Sequence, residues 1–236
     1  MILPNSTYQE IYQTITQEEE KVIYYLHKNL KSVSQEMYDR IKDNSEIIIC
    51  WKYYTNPQSK NKYLLWYATT FMRFIKEEKD LTCGALLVSN DYSDRNFYFS
   101  TRDNKYNVVL HITSHFLKRY RERCLKDDSL TTEEVIATYF FHNGRTFAML
   151  DVNQASIVPI DEKDSAILVP EGIVYAEIGV AAGQSEKNVT VIRYKTFVSV
   201  TMLNEQQDEH VKSVSKDELE KNMQKKIKRL LNIQKD

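Results

Sequence analysis

The hydrophobic pattern of this 236-residue chain changes period several times, and that alternation constrains the fold more than any single motif. Over residues 1 to 44, Tyr8, Ile11, Tyr12 and Ile15 recur at helical spacing, Val22, Ile23 and Leu26 extend the stripe, and Leu30, Val33, Met37 and Ile41 form a second one. From Glu46 the texture becomes that of strands: residues 47–54 are rich in β-branched and aromatic side chains and stop at Asn56-Pro57, a turn signal. Residues 62–75 fit both periods. Their Tyr, Trp, Thr and Phe content favours a strand, although Leu64, Ala68, Phe71, Met72 and Ile75 also mark a helix face. Residues 85–89, 96–101 and 107–113 read as further strands separated by Asp, Asn and Ser turns.

The helical period returns at Ser114 to Lys126, capped by Thr113 or Ser114, and again at Thr131 to His142, where Thr131 and Glu134 have capping-box spacing. Strands follow at 146–151, 156–160, 167–169, 174–179, 189–194 and 196–203. From Lys216 onward, Leu219, Met223, Ile227 and Leu230 line one side of a last, lysine-rich helix. The expected class is α+β: a mostly antiparallel sheet with a helical hairpin inserted between strand runs. It divides into a helical N-terminal segment (1–44), a core domain (45–205) and a basic amphipathic C-terminal helix (206–236).

Composition removes several alternatives. An apolar fraction of 42% is too high for a disordered chain, and 5 Gly with 4 Pro leave little material for collagen-like or Gly-rich phosphate-loop architectures. No stretch approaches the apolar length needed to span a bilayer, and the N-terminus lacks the basic-then-apolar order of a secretory signal. Cys50, Cys83 and Cys124 are too few and scattered for a disulfide framework or zinc ribbon, so free thiols and a reducing, cytoplasmic location are expected. The formal net charge of −1 hides segregation: Glu18 to Glu20 are acidic, while Lys118 to Arg123 and Lys221 to Arg229 are basic.

The segment from His111 to Arg123 concentrates the chemistry. His111 and His115 stand four apart, but the alternation of Val108, Leu110 and Ile112 puts His111 on a strand and His115 in the first helical turn. No helical face then holds both imidazoles, and no metal or cofactor site is expected. His115, Arg119 and Arg123 follow at i+4 steps and would share one side of the helix, with Phe116, Tyr120 and Cys124 rotated towards the core. A first-turn imidazole lies at the positive end of the helix dipole, which favours its neutral, proton-accepting form. Two guanidiniums beside it can hold a phosphate and the charge that develops on it. The competing use of these arginines is a solvated, salt-bridged helix face.

The run His115, Arg119, Glu122 and Arg123, followed by the capped helix and Asn143-Gly144, resembles the His-x3-Arg-x2-Glu-Arg helix of RelE-like domains. These belong to the barnase/EndoU/colicin/RelE superfamily of metal-independent ribonucleases, many of them toxin-like. The resemblance covers the hairpin at 114–144 and the strand near 196–203. It implies RNA as substrate, His115 as general base, Arg119 and Arg123 as phosphate clamps, and a hydroxyl from the late strand, where Thr196, Ser199 and Thr201 are the hydroxyl residues. Lys118, Arg121, Lys225 and Arg229 are candidate nucleic-acid contacts. The alternative is a non-catalytic module for nucleic acid or protein, with a protein partner reached through the N-terminal helices. His142, at the end of the second hairpin helix, is expected to serve that helix's terminal carbonyls. Trp51, Tyr53 and Tyr54 with Lys60 and Lys62 suit sheet packing better than base stacking.

Overall fold

The computed structural model describes residues 2–3, 5–40, 47–70, 73–74, 81–91, 94–102, 107–143, 157–159, 164–181, 188–199 and 202. Two helices, α1 (Tyr8–Lys28) and α2 (Leu30–Arg40), precede five strands, β1 (Ile47–Thr55), β2 (Lys62–Thr70), β3 (Thr82–Asp91), β4 (Asp94–Arg102) and β5 (Asn107–Ile112). The hairpin follows as α3 (Ser114–Tyr120), a π-helical turn over Arg121–Leu125, and α4 (Thr132–Asn143). Strands β6 (Ile157–Pro159), β7 (Asp164–Val169), β8 (Gly172–Ala181) and β9 (Val189–Ser199) complete the described elements. The expected strand at 146–151 and the expected C-terminal helix, with Lys225 and Arg229, lie outside the described residues.

All nine strands form one sheet in the order β1-β2-β3-β4-β5-β9-β8-β7-β6. Every neighbouring pair is antiparallel except β5 and β9, which run parallel with Ile112 opposite Tyr194. A parallel neighbour needs a long crossover, and the hairpin with β6, β7 and β8 supplies it. The α+β class read from the period changes is therefore the observed one.

The sheet is covered on both faces. Leu64, Trp66, Leu110, Ile112, Phe116, Tyr120, Tyr139, Tyr194 and Phe197 pack together where α3 and α4 lie. Ile11, Val22, Val33, Met37, Tyr63, Leu65, Tyr67 and Val109 pack on the opposite face under α1 and α2. This explains the double reading of 62–75. In β2 the residues from Tyr63 to Thr69 are all buried, alternating between the two cores, so the strand reads as a continuous apolar run.

Polar anchors fix α1 on its face. Thr7 and Glu10 form a capping box at its start, and the Tyr67 hydroxyl donates to the Leu26 carbonyl at 2.9 Å. Buried Glu18 accepts from Asn61 (2.9 Å) and from the Tyr63 hydroxyl (2.8 Å). Burial works to raise the Glu18 pKa, and its hydrogen bonds outweigh that, leaving it below the ordinary carboxylate value. Among the described residues no helix is long and apolar enough to cross a membrane.

The expected strands 189–194 and 196–203 merge, over the described residues, into the single strand Val189–Ser199, which carries a bulge. Tyr175 pairs with Thr196 and Ala176 with Tyr194, so Lys195 is the extra residue. The bulge resets the alternation, which lets Tyr194 and Phe197 both enter the hairpin-side core.

Candidate functional site

The hairpin is positioned by the way β5 ends. Opposite Tyr194 the chain leaves the sheet at Thr113, whose hydroxyl caps α3 by accepting from the Phe116 amide (3.1 Å) and donates to the Tyr194 carbonyl (2.9 Å). Beyond that point β9 has lost β5 as its neighbour. A guanidinium takes over part of the missing edge: Arg123 Nη1 donates to the Phe197 carbonyl at 2.6 Å. Phe116 and Tyr120 are fully buried against Tyr139, Tyr194 and Phe197, so α3 is held along β9 by an aromatic layer.

The structure splits the set of residues that the sequence grouped. His115 is exposed in the first turn of α3 and has no hydrogen-bond partner among the described residues. Arg119 is half-exposed and pairs with Glu122 at 2.9 Å, and Lys118 reaches the same carboxylate at 4.0 Å. Arg121 donates to the Leu130 carbonyl (3.1 Å), bracing the turn between the helices. After Tyr120 the helix changes to a π turn closed by Lys126, in the left-handed conformation, donating to the Arg121 carbonyl. Such a turn has i→i+5 bonds and rotates less per residue, so Arg123 falls off the i+4 stripe of His115 and Arg119. His115 and Arg123 are also separated by about 12 Å along the helix axis. Ser199 is buried opposite Gly172, and half-buried Thr196 lies on the other face of β9. Arg123 and Ser199 thus share one end of β9, and His115 with Arg119 forms a separate, solvent-facing group.

Other candidates find structural uses. His111 is on β5, buried, with its ring nitrogens on the Tyr8 hydroxyl (2.8 Å) and Asn96 Oδ1 (3.1 Å). Burial, with Arg193 nearby, pushes its pKa down to about 4. Tyr53 donates to Glu133 at 2.6 Å beneath the Lys62 ammonium, and Tyr54 stacks on Tyr25. Cys50, Cys83 and Cys124 are free thiols. Among the described residues, no group of three or more His, Cys, Asp and Glu is placed to hold a metal ion.

One constellation has no counterpart in the sequence reading. Glu171 sits in the two-residue turn between Val169 and Gly172 and receives the Tyr120 hydroxyl, Asn143 Nδ2 (2.8 Å) and His142 Nδ1 (2.5 Å). Its own amide donates to Asn143 Oδ1 at 3.3 Å. Burial acts to raise the Glu171 pKa, and the bonds from His142, Tyr120 and Asn143 bring it below the usual carboxylate value. The Cys124 thiol beside it is pushed up to about 11, by burial first and the Glu171 charge second, so it is no nucleophile. His142 therefore bonds to a carboxylate from a distant turn, contrary to the expectation that it would serve its own helix's carbonyls. No spacing in the sequence links positions 142 and 171; their meeting depends on Gly172. A Cβ there would lie 2.2 Å from the Val198 carbonyl and 2.9 Å from the Phe197 ring, so only glycine lets the turn press onto β9.

Comparison of the chain with protein-family models, with curated proteins and with solved structures found no match.

Proposed function

We propose that the protein acts on RNA as a metal-independent, endoribonuclease-like domain, with the helical hairpin and the end of β9 as its working surface. The observation that carries this reading is the docking of α3 along β9, which gathers the hairpin and the late strand into one corner. Cleavage through the ribose 2′-hydroxyl requires an imidazole to move a proton and cations to hold the phosphate. The hairpin carries two imidazoles, His115 and His142, both open to solvent to some degree. Lys118 offers an exposed cation beside His115, half-exposed Arg119 is paired with Glu122, and Arg123 keeps guanidinium N–H groups that have no partner among the described residues. Free thiols support a reducing, cytoplasmic setting. Incubating the purified protein with a single-stranded RNA in chelator tests the reading. RNA shortened to fragments ending in 2′,3′-cyclic phosphate supports it, and RNA left intact refutes it.

A second reading, a non-catalytic module for nucleic acid or protein with no active site, is favoured by the structural use of the arginines. Arg119 is paired with Glu122, and Arg121 and Arg123 each donate to a backbone carbonyl. It predicts intact RNA and binding that weakens steeply with salt, further reduced by Lys118→Ala with Arg119→Ala.

A further inference from the structure

We propose that His142 and Glu171 form a proton-transfer dyad in which His142 Nε2 takes the proton of the ribose 2′-hydroxyl; the assignment rests on the RNA-cleaving reading above. Of the two hairpin imidazoles, only His142 has its ring oriented. Its Nδ1 is held 2.5 Å from Glu171 Oε1, and Nε2 has no partner among the described residues. A productive base needs this arrangement, one nitrogen fixed by a carboxylate and the other presented to substrate. The carboxylate is fixed in turn, by Tyr120 and Asn143 on Oε2 and by its own amide bond to Asn143. Side chains of His142 and Glu171 keep 28% and 22% of their exposure, so the pair is half-buried and the imidazole stays open to a ligand.

A guanidinium lies at the same end of the sheet. Gly172, next to Glu171, pairs with Ser199, and two residues earlier on β9 the Phe197 carbonyl holds Arg123. Arg123 is thereby positioned from β9 with donors left over to meet the scissile phosphate. In the step, the 2′-hydroxyl proton passes to His142 Nε2 and the 2′-oxygen bonds to the adjacent phosphorus. The bond from phosphorus to the 5′-oxygen breaks, that oxygen takes a proton from water, and the hydroxide left is neutralised by the proton that His142 Nε2 releases, which returns the imidazole to its neutral form. The products are a 2′,3′-cyclic phosphate and a 5′-hydroxyl, and no oxidant, reductant or co-reactant is consumed. Glu171 is a positioning residue, because it acts through the imidazole.

The full chain, with an RNA oligonucleotide in chelator, tests the assignment. His142→Ala is expected to lower the cleavage rate by about 10²–10⁴-fold, the usual range for losing a general base. Added imidazole should restore part of that rate, which a merely structural role would not allow. Glu171→Gln should lower the rate at least about tenfold while binding of a 2′-deoxy analogue holds. If His142→Ala fails to fold, His142→Gln, with an amide that can still meet Glu171, carries the same comparison. Wild-type cleavage matched by a folded His142 variant overturns the dyad and leaves the RNA reading standing. RNA untouched by the wild-type protein overturns both.

Discussion

Arg123 offers the sharpest test of how the hairpin is held. Its guanidinium donates to the Phe197 carbonyl at 2.6 Å, on a stretch of β9 beyond the end of β5. Hydrogen bonds from charged groups contribute about 1.5–3 kcal/mol, and removing this donor leaves a part-buried carbonyl unsatisfied. Arg123→Ala should therefore cost about 2 kcal/mol, lowering Tm by about 4–8 °C in a chain of this size. Arg119 gives the internal control. Its pair with Glu122 involves side chains that keep 38% and 34% of their exposure, and exposed pairs contribute about 0–1 kcal/mol. Thermal unfolding followed by far-UV circular dichroism should thus separate two arginines four residues apart. Arg123→Met, which keeps the aliphatic stem, should melt close to Arg123→Ala if the hydrogen bond rather than packing is responsible. An Arg123→Ala protein melting within about 1 °C of wild type, or an equal loss in Arg119→Ala, would refute the pinning of the hairpin through Arg123.

Other expectations follow from the same packing. Gly172→Ala should destabilise by about 3 kcal/mol, measured by urea denaturation, because its Cβ would strike the Val198 carbonyl and the Phe197 ring. His111 gives a pH dependence. Burial, with Arg193 nearby, holds its folded pKa at about 4 against 6.5 in the unfolded chain, so the unfolded chain binds the proton first on acidification. Stability from this group is full above pH 6.5 and falls as pH drops towards 4, by an amount on the order of 3 kcal/mol. His111→Gln should flatten that part of the urea-stability profile; an unchanged profile would refute the neutral, buried assignment.

Much of this arrangement was legible from the sequence. The period changes located α1, α2, α3 and most strands, because each has its own apolar face, and α4, buried at every position from Val135 to Phe140, was marked by its capping box. β2 was ambiguous for a physical reason: burial on two sides erases the alternation that distinguishes a strand. The bulge at Lys195 fused two expected strands, since one extra residue shifts the apolar phase without ending the pairing. The site was harder to read. The i+4 stripe from His115 to Arg123 assumes an uninterrupted α-helix, and the π turn breaks that assumption at Arg121. Glu171 carries no local signal, because a charged residue in a two-residue turn is ordinary. Its importance arises only when Gly172 presses the turn against β9 and brings Glu171 onto Tyr120, His142 and Asn143.

Proposed cleavage of RNA through its 2′-hydroxyl at the hairpin corner is tested most directly by comparing one sequence as RNA and as 2′-deoxy oligonucleotide. Both are incubated with the full chain in chelator, and the products are read by mass spectrometry. Cleavage through the 2′-hydroxyl gives RNA fragments ending in 2′,3′-cyclic phosphate and leaves the 2′-deoxy strand intact. Cutting of both strands, cutting only with added metal, or two intact strands would contradict it.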